Sequence, residues 1–160
     1  MLCVNHRPSV IKLEQYAYLL LNTEKYWNRL CNLNRAGKTV HAFVRKGIVG
    51  PKKAEQLLFY VTYPHKEIRG VGKFIERITG DADDLWNAHG HESLLRSYEE
   101  YADFMQGRTK ATFIRFKNLR ELATPVPASV ISQVAGIGRM PRMGKYIPKE
   151  MARQLIYGVI

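Results

Sequence analysis

Between Leu57 and Ile78 the chain reads as two strands joined by a short link, and the second strand carries glycines at positions 70 and 72. Leu57 to Thr62 is an unbroken run of apolar, aromatic and β-branched residues, the pattern of an inner strand covered on both faces. Ile68 to Ile78 follows as a strand whose paired glycines permit a bulge or sharp coiling. A sheet built on such a pair curls rather than lying flat. Thr39 to Arg45 adds a half-buried strand, with Val40, Ala42 and Val44 on one face and His41, Phe43 and Arg45 on the other. Ala111 to Lys117 adds a fourth, its Thr112, Ile114 and Phe116 turned to a core.

Helical patterns surround these strands. Residues 12 to 31 place Leu13, Tyr16, Ala17, Leu20, Trp27, Leu30 and Cys31 at three- and four-residue spacing, with a slip near Thr23 that divides the run. Asp81 is placed to cap a helix from Ala82 to Ala88 that ends at Gly90. Ser97-x-x-Glu100 is a capping box, with Gly107 where a helix stop belongs. Pro125 and Pro127 bracket an extended connection, Ser132 to Tyr146 reads as a Gly/Pro-rich loop, and Pro148 precedes a last helix over Lys149 to Tyr157. The expected fold class is α+β: a small, curled, mostly antiparallel sheet or barrel with helical additions. We expect one domain over residues 1–160, with a core from about 25 to 125 and a basic C-terminal extension over 126–160.

Charge is segregated along the chain, which carries a net +11. Residues 35–77 hold ten Lys/Arg against three acids, 78–104 hold seven acids against one base, and 105–160 hold ten bases against two acids. The acidic block fits solvated helix faces. The basic blocks lie in strands and Gly/Pro loops, so they read as a surface for a polyanion; RNA or a nucleotide is the expected partner, with homodimerisation left open. Cys3 and Cys31 are too few for a disulfide scaffold, and no apolar leader or membrane-length run is present. The expectation is therefore a cytoplasmic protein with no membrane association.

One stretch has a familiar look. Tyr60-Val-Thr-Tyr-Pro-His-Lys-Glu-Ile-Arg-Gly-Val-Gly-Lys-Phe-Ile-Glu-Arg-Ile resembles the central strand pair of the PUA-like superfamily, in its ASCH and related archaeal branches. Asp84-Leu-Trp, then Tyr98-Glu-Glu-Tyr-Ala-Asp-Phe-Met-Gln-Gly, are similar to the acidic helices of those families, and Lys110-Ala-Thr-Phe-Ile-Arg-Phe to their last barrel strand. Gly144-Lys-Tyr-Ile-Pro looks like the end of an uncharacterised archaeal family of the same superfamily. The resemblance spans roughly residues 25–125. It implies a pseudo-barrel with a cleft that accepts nucleic acid or a nucleoside.

The resemblance also nominates site residues. A Lys-Thr pair entering a strand lines the cleft in the ASCH branch, and Lys38-Thr39 stands in that place. ASCH members that hydrolyse N4-acetylcytidine use a Lys, a Thr and a Glu. Lys38 matches the first, His41 occupies the position of the Thr, and Glu92 lies about two residues from the position of the Glu. A histidine serves as a general base near neutral pH, so Lys38, His41 and Glu92 form the catalytic candidates for nucleoside amidohydrolysis or RNA cleavage. The nucleic-acid contacts expected from charge and aromatics are Lys38, Thr39, His41, Arg45, Lys46, Tyr63, Lys66 and Arg69, with Arg139 and Arg142 as a flanking clamp. The bland alternatives are a strand start for Lys38-Thr39, a half-buried His41, packed tyrosines and a solvated basic loop. Trp27 and Trp86 are read as core residues. Cys3-x-x-His6 and His89-x-His91 lack a second ligand pair, so neither a metal nor a cofactor is expected. A basic face that meets an acidic protein partner is the third reading.

Overall fold

The computed structural model describes residues 11–158. Six strands form one sheet: β1 (Ala17–Asn22), β2 (Val40–Arg45), β3 (Gln56–Val61), β4 (Glu67–Asp81), β5 (Lys110–Pro127) and β6 (Lys145–Ile147), in the order β2-β5-β4-β3-β1-β6. Five helices accompany them: α1 (Glu24–Arg35), α2 (Ala82–His89), α3 (Tyr98–Met105), α4 (Ala128–Ala135) and α5 (Lys149–Tyr157). Among the described residues only β1 and β3 run parallel; every other neighbouring pair is antiparallel. This is the expected α+β class.

The curl comes from β4. Its register with β5 shifts between Ile68 and Gly70, between Val71 and Lys73, and between Phe74 and Glu76. Gly70 sits where the Trp27 indole meets the sheet: a Cβ there would lie 2.3 Å from Trp27 Cη2 and 3.0 Å from the Arg120 carbonyl. The absence of a side chain thus lets α1 seat against the strand. The coiling brings the end of β2 to the free end of β1, where Arg45 Nη2 donates to the Leu21 carbonyl at 2.8 Å and links the two strand ends.

Three apolar clusters follow. Inside the curl, α1 lays Trp27, Leu30 and Cys31 against Phe43, Phe59 and Phe116. The Phe59 and Phe116 centroids are 4.9 Å apart, both rings are fully buried, and each contributes about 1.5–3 kcal/mol by burial. A second cluster joins Leu19, Leu58 and Ile68 to Ile131 of α4, Ile147 of β6 and Leu155 of α5. A third packs α2 and α3 on Ala42, Val44 and Phe113.

Three expectations change. Residues 12–31 are not a helix divided at Thr23: the run Ala17-Tyr-Leu-Leu-Leu is strand β1, and the helix begins at Glu24. Its side chains are buried on both faces, and an all-apolar run fits the interior of a sheet as well as it fits a helix stripe. The Pro125–Pro127 segment is not a connection but the end of β5, paired with Glu67 and Ile68. Residues 132–135, read as part of a Gly/Pro-rich loop, belong to helix α4, and the segment after residue 125 supplies a strand and two helices to the second cluster. The caps follow the sequence reading: Asp81 Oδ2 accepts from the Asp84 amide at 3.0 Å, and Ser97 Oγ from the Glu100 amide at 3.1 Å. No helix among the described residues is long and apolar enough to cross a membrane.

Candidate nucleic-acid interface

The nominated residues fall into two clefts and a set of structural positions. The first cleft lies where α1 ends. Gly37 takes a positive φ of 106°, a turn that glycine makes without strain, and leads Lys38 into β2. A 3₁₀ turn, Gly90–Glu92, follows α2, and Ser93 bridges to Ala42 on the outer edge of β2. Lys38, Leu33, Trp86, Ser93 and Arg96 are among the residues around the resulting cleft of about 320 Å³.

Glu92 lies beneath it, 4% exposed. Its carboxylate accepts from His89 Nδ1 at 2.6 Å and from Arg115 Nε at 3.0 and 3.1 Å, and Arg115 also pairs with Glu76 at 2.5 Å. Burial by itself would raise the Glu92 pKa, but the Arg115 and His89 hydrogen bonds outweigh it and hold the carboxyl below its ordinary value. Burial lowers the Lys38 pKa, and the nearby Glu92 charge opposes that shift in part. His41 is fully buried and stacks on Phe116, with ring centroids 5.5 Å apart. Burial first, then the Lys38 charge, push its pKa down to about 4. Asn34 Nδ2 donates to the Leu119 carbonyl, which leaves Asn34 Oδ1 facing His41 Nε2 at 3.1 Å. The neutral ring therefore carries its proton on Nε2 and turns an unpartnered Nδ1 inward. Lys38, His41 and Glu92 thus share one electrostatic neighbourhood, with Lys38 at its open side.

A second cleft, of about 400 Å³, opens at the far ends of β1 and β3, bordered by Leu21, Tyr60, Thr62, Tyr63, Lys66 and Arg139. Tyr63 is 78% exposed, and Lys66 Nζ lies 5.8 Å from its ring centroid.

The remaining nominees sit elsewhere. The Arg45 guanidinium is enclosed: it donates to the Val44 and Leu21 carbonyls and lies 5.2 Å from the Phe43 ring centre, and burial lowers its pKa to about 10. It is therefore an enclosed link between β2 and β1 rather than the surface contact expected. Lys46 bonds Gln106 Oε1 at 3.0 Å beside Phe104. Arg69 Nε lies 3.5 Å from Glu67, Thr39 is exposed beside Lys38, and Arg142 is exposed in the loop before β6. Trp27 is buried as expected, whereas Trp86 is only partly buried, stacked on Tyr101 with centroids 4.7 Å apart and facing the first cleft. His89 is committed to Glu92, and Cys3 and His6 lie outside the described residues. Sequence reasoning missed Asn34, Arg96 and Arg115. The spacing His89-x-x-Glu92 was a usable signal, but nothing local ties Glu92 to Arg115 across 23 positions.

The comparisons agree with the geometry. No family model matches the sequence, and no curated protein matches it. Among solved structures, the ASCH protein of Zymomonas mobilis superposes with a TM-score of 0.73 at 20% identity, over 89% of this chain and 95% of that one. Its tyrosine-to-phenylalanine mutant gives 0.72 at 19%, over 88% and 96%, and its serine-to-alanine mutant 0.70 at 20%, over 90% and 96%. These superpositions show that the chain has the PUA-like fold of ASCH domains.

Proposed function

We propose that the protein binds RNA, or a modified nucleotide within it, at the cleft headed by Lys38. The observation that carries this reading is the unspent charge of Lys38. It stands half-buried at the cleft, and its neighbouring carboxylate, Glu92, is already saturated by Arg115 and His89. A lysine so placed makes no ion pair among the described residues and gains most from an incoming anion. Arg96 adds a second cation, and Trp86 offers an aromatic surface beside both. The similarity to an ASCH protein supports a nucleic-acid or nucleotide ligand. A reducing cytoplasmic setting belongs to the same reading, with two cysteines too few for a disulfide scaffold.

The test is fluorescence anisotropy with a labelled single-stranded RNA across a salt series. Affinity should fall steeply with salt, and Lys38→Ala should weaken binding about five- to tenfold and reduce the log–log salt slope by about one. Affinity that stays flat between low and moderate salt would rule the reading out.

A second reading rests on the shared neighbourhood of Lys38, His41 and Glu92: hydrolysis of an acylated nucleoside such as N4-acetylcytidine, or cleavage of RNA. The buried His41 ring cannot reach a ligand in the cleft, so the chemistry falls to Lys38, whose lowered pKa enlarges its neutral fraction. Turnover of N4-acetylcytidine that disappears in Lys38→Ala would establish it. Binding without turnover leaves the first reading alone.

A further inference from the structure

We propose that Tyr63, Lys66 and Arg139 form a second nucleic-acid contact, and that one single strand bridges it to the Lys38 cleft along the exposed face of α1. The inference rests on the reading above and extends it from a single pocket to a two-site footprint.

Four observations carry it. The Tyr63 ring is 78% exposed at the edge of a cleft of about 400 Å³, and the cation of Lys66 stands beside it. A large, flat, open aromatic next to cations is the arrangement that stacks an unpaired base while its phosphates are held. None of the residues bordering this cleft is acidic. The carboxylates of Glu24 and Glu67 face other partners: His65 lies 3.1 Å from Glu24 and 3.8 Å from Glu67, and Arg69 lies 3.5 Å from Glu67. Lys66 and Arg139 form no ion pair among the described residues.

The fourth observation is the position of α1. Its first residue, Glu24, meets His65, two positions from Tyr63. Its far end runs into Lys38, whose amide donates to the Leu33 carbonyl at 3.1 Å. Twelve residues at ~1.5 Å rise make α1 about 18 Å long, a length that a stacked strand at ~3.4 Å per nucleotide spans in about five to six nucleotides. Between them Lys25, Asn28, Asn32 and Arg35 are all exposed at three- and four-residue spacing, a line of hydrogen-bond donors without a carboxylate of its own. Arg35 alone on this line is paired, with Glu121. An acidic peptide would use the cations but would leave the tyrosine face idle, which is why a nucleic acid is the better occupant.

Two linked contacts predict a length dependence. Anisotropy with oligouridylates of about four and about twelve nucleotides at low salt separates the cases. The longer strand should bind wild type at least about tenfold tighter. Tyr63→Ala, a change at an exposed position that leaves the core untouched, should cut that ratio to about threefold or less, and Tyr63→Phe should preserve it. A ratio unchanged in Tyr63→Ala overturns the second contact and leaves the Lys38 cleft standing. Absence of binding by either strand to wild type overturns both proposals. Poly-glutamate that shows the same length gain and the same sensitivity to Tyr63→Ala assigns the surface to an acidic protein and overturns the nucleic-acid occupant.

Discussion

The His41 ring lies against Phe116 and Asn34 with none of its surface exposed, and its pKa is about 4 against an ordinary 6.5. The sign of the consequence is set by which state binds the proton. Between about pH 6.5 and pH 4 the unfolded chain protonates this histidine and the native chain does not, so stability falls as the pH falls through that window. Above it both states are neutral and the contribution is fully present. The expected loss is of order 1–3 kcal/mol, seen as a falling urea midpoint, and His41→Gln should flatten that part of the profile. A wild-type midpoint independent of pH across the window would contradict the burial argument. Glu92 acts in the same direction at lower pH, because its pKa is held down and its stabilisation is lost as it protonates. The family resemblance nominated both groups. Their states were not legible, because each is set by partners such as Asn34, Arg115 and Phe116 that come from other elements.

At the scale of elements, α1 and β4 depend on one another through Gly70. A methyl group at this position would meet Trp27 at 2.3 Å and the Arg120 carbonyl at 3.0 Å, and a carbonyl in a paired strand yields less than a side-chain tip. Gly70→Ala should therefore cost about 1–3 kcal/mol, lower the melting temperature and shift the emission of Trp27. A variant that melts with wild type would mean that the strand relaxes around the methyl. The glycine pair at 70 and 72 was legible as a bulge signal because few residues share its conformational freedom. The caps at Asp81 and Ser97 were legible because a side chain three residues from an amide is a local geometry. β1 was not. Its leucines suit a helix stripe and an inner strand equally, and the choice was made by β3, whose residues 56–61 pair with it in parallel from far along the chain. The lengths of β4 and β5 escaped for a related reason: exposed polar positions late in each are held in strand by the other's backbone.

For the molecule as a whole, the C-terminal segment has a structural task. Ile131, Ile147 and Leu155 close over Leu19, Leu58 and Ile68, and the Gly144 backbone sits so tightly on β1 that a Cβ would lie 2.4 Å from the Leu19 carbonyl. A chain ending at residue 127 should lose its cooperative thermal transition by circular dichroism, since one face of the sheet would be stripped bare. A truncated chain that melts near wild type would make the segment a true appendage. The sequence by itself determined the net charge, its division into basic and acidic blocks, the strand-and-glycine pattern that forces a curled sheet, and the capped helices, because these depend on composition and on neighbours within a turn or a pleat. Tertiary structure alone decided which cations remain unspent. Arg45 was drawn inside to link the ends of β2 and β1, Arg35 and Arg115 were matched to acids of other segments, and Lys38 and Lys66 were left at opposite ends of α1. Whether a charge is neutralised depends on which group lies within a few ångströms, and that distance exists only once separate segments have been folded together.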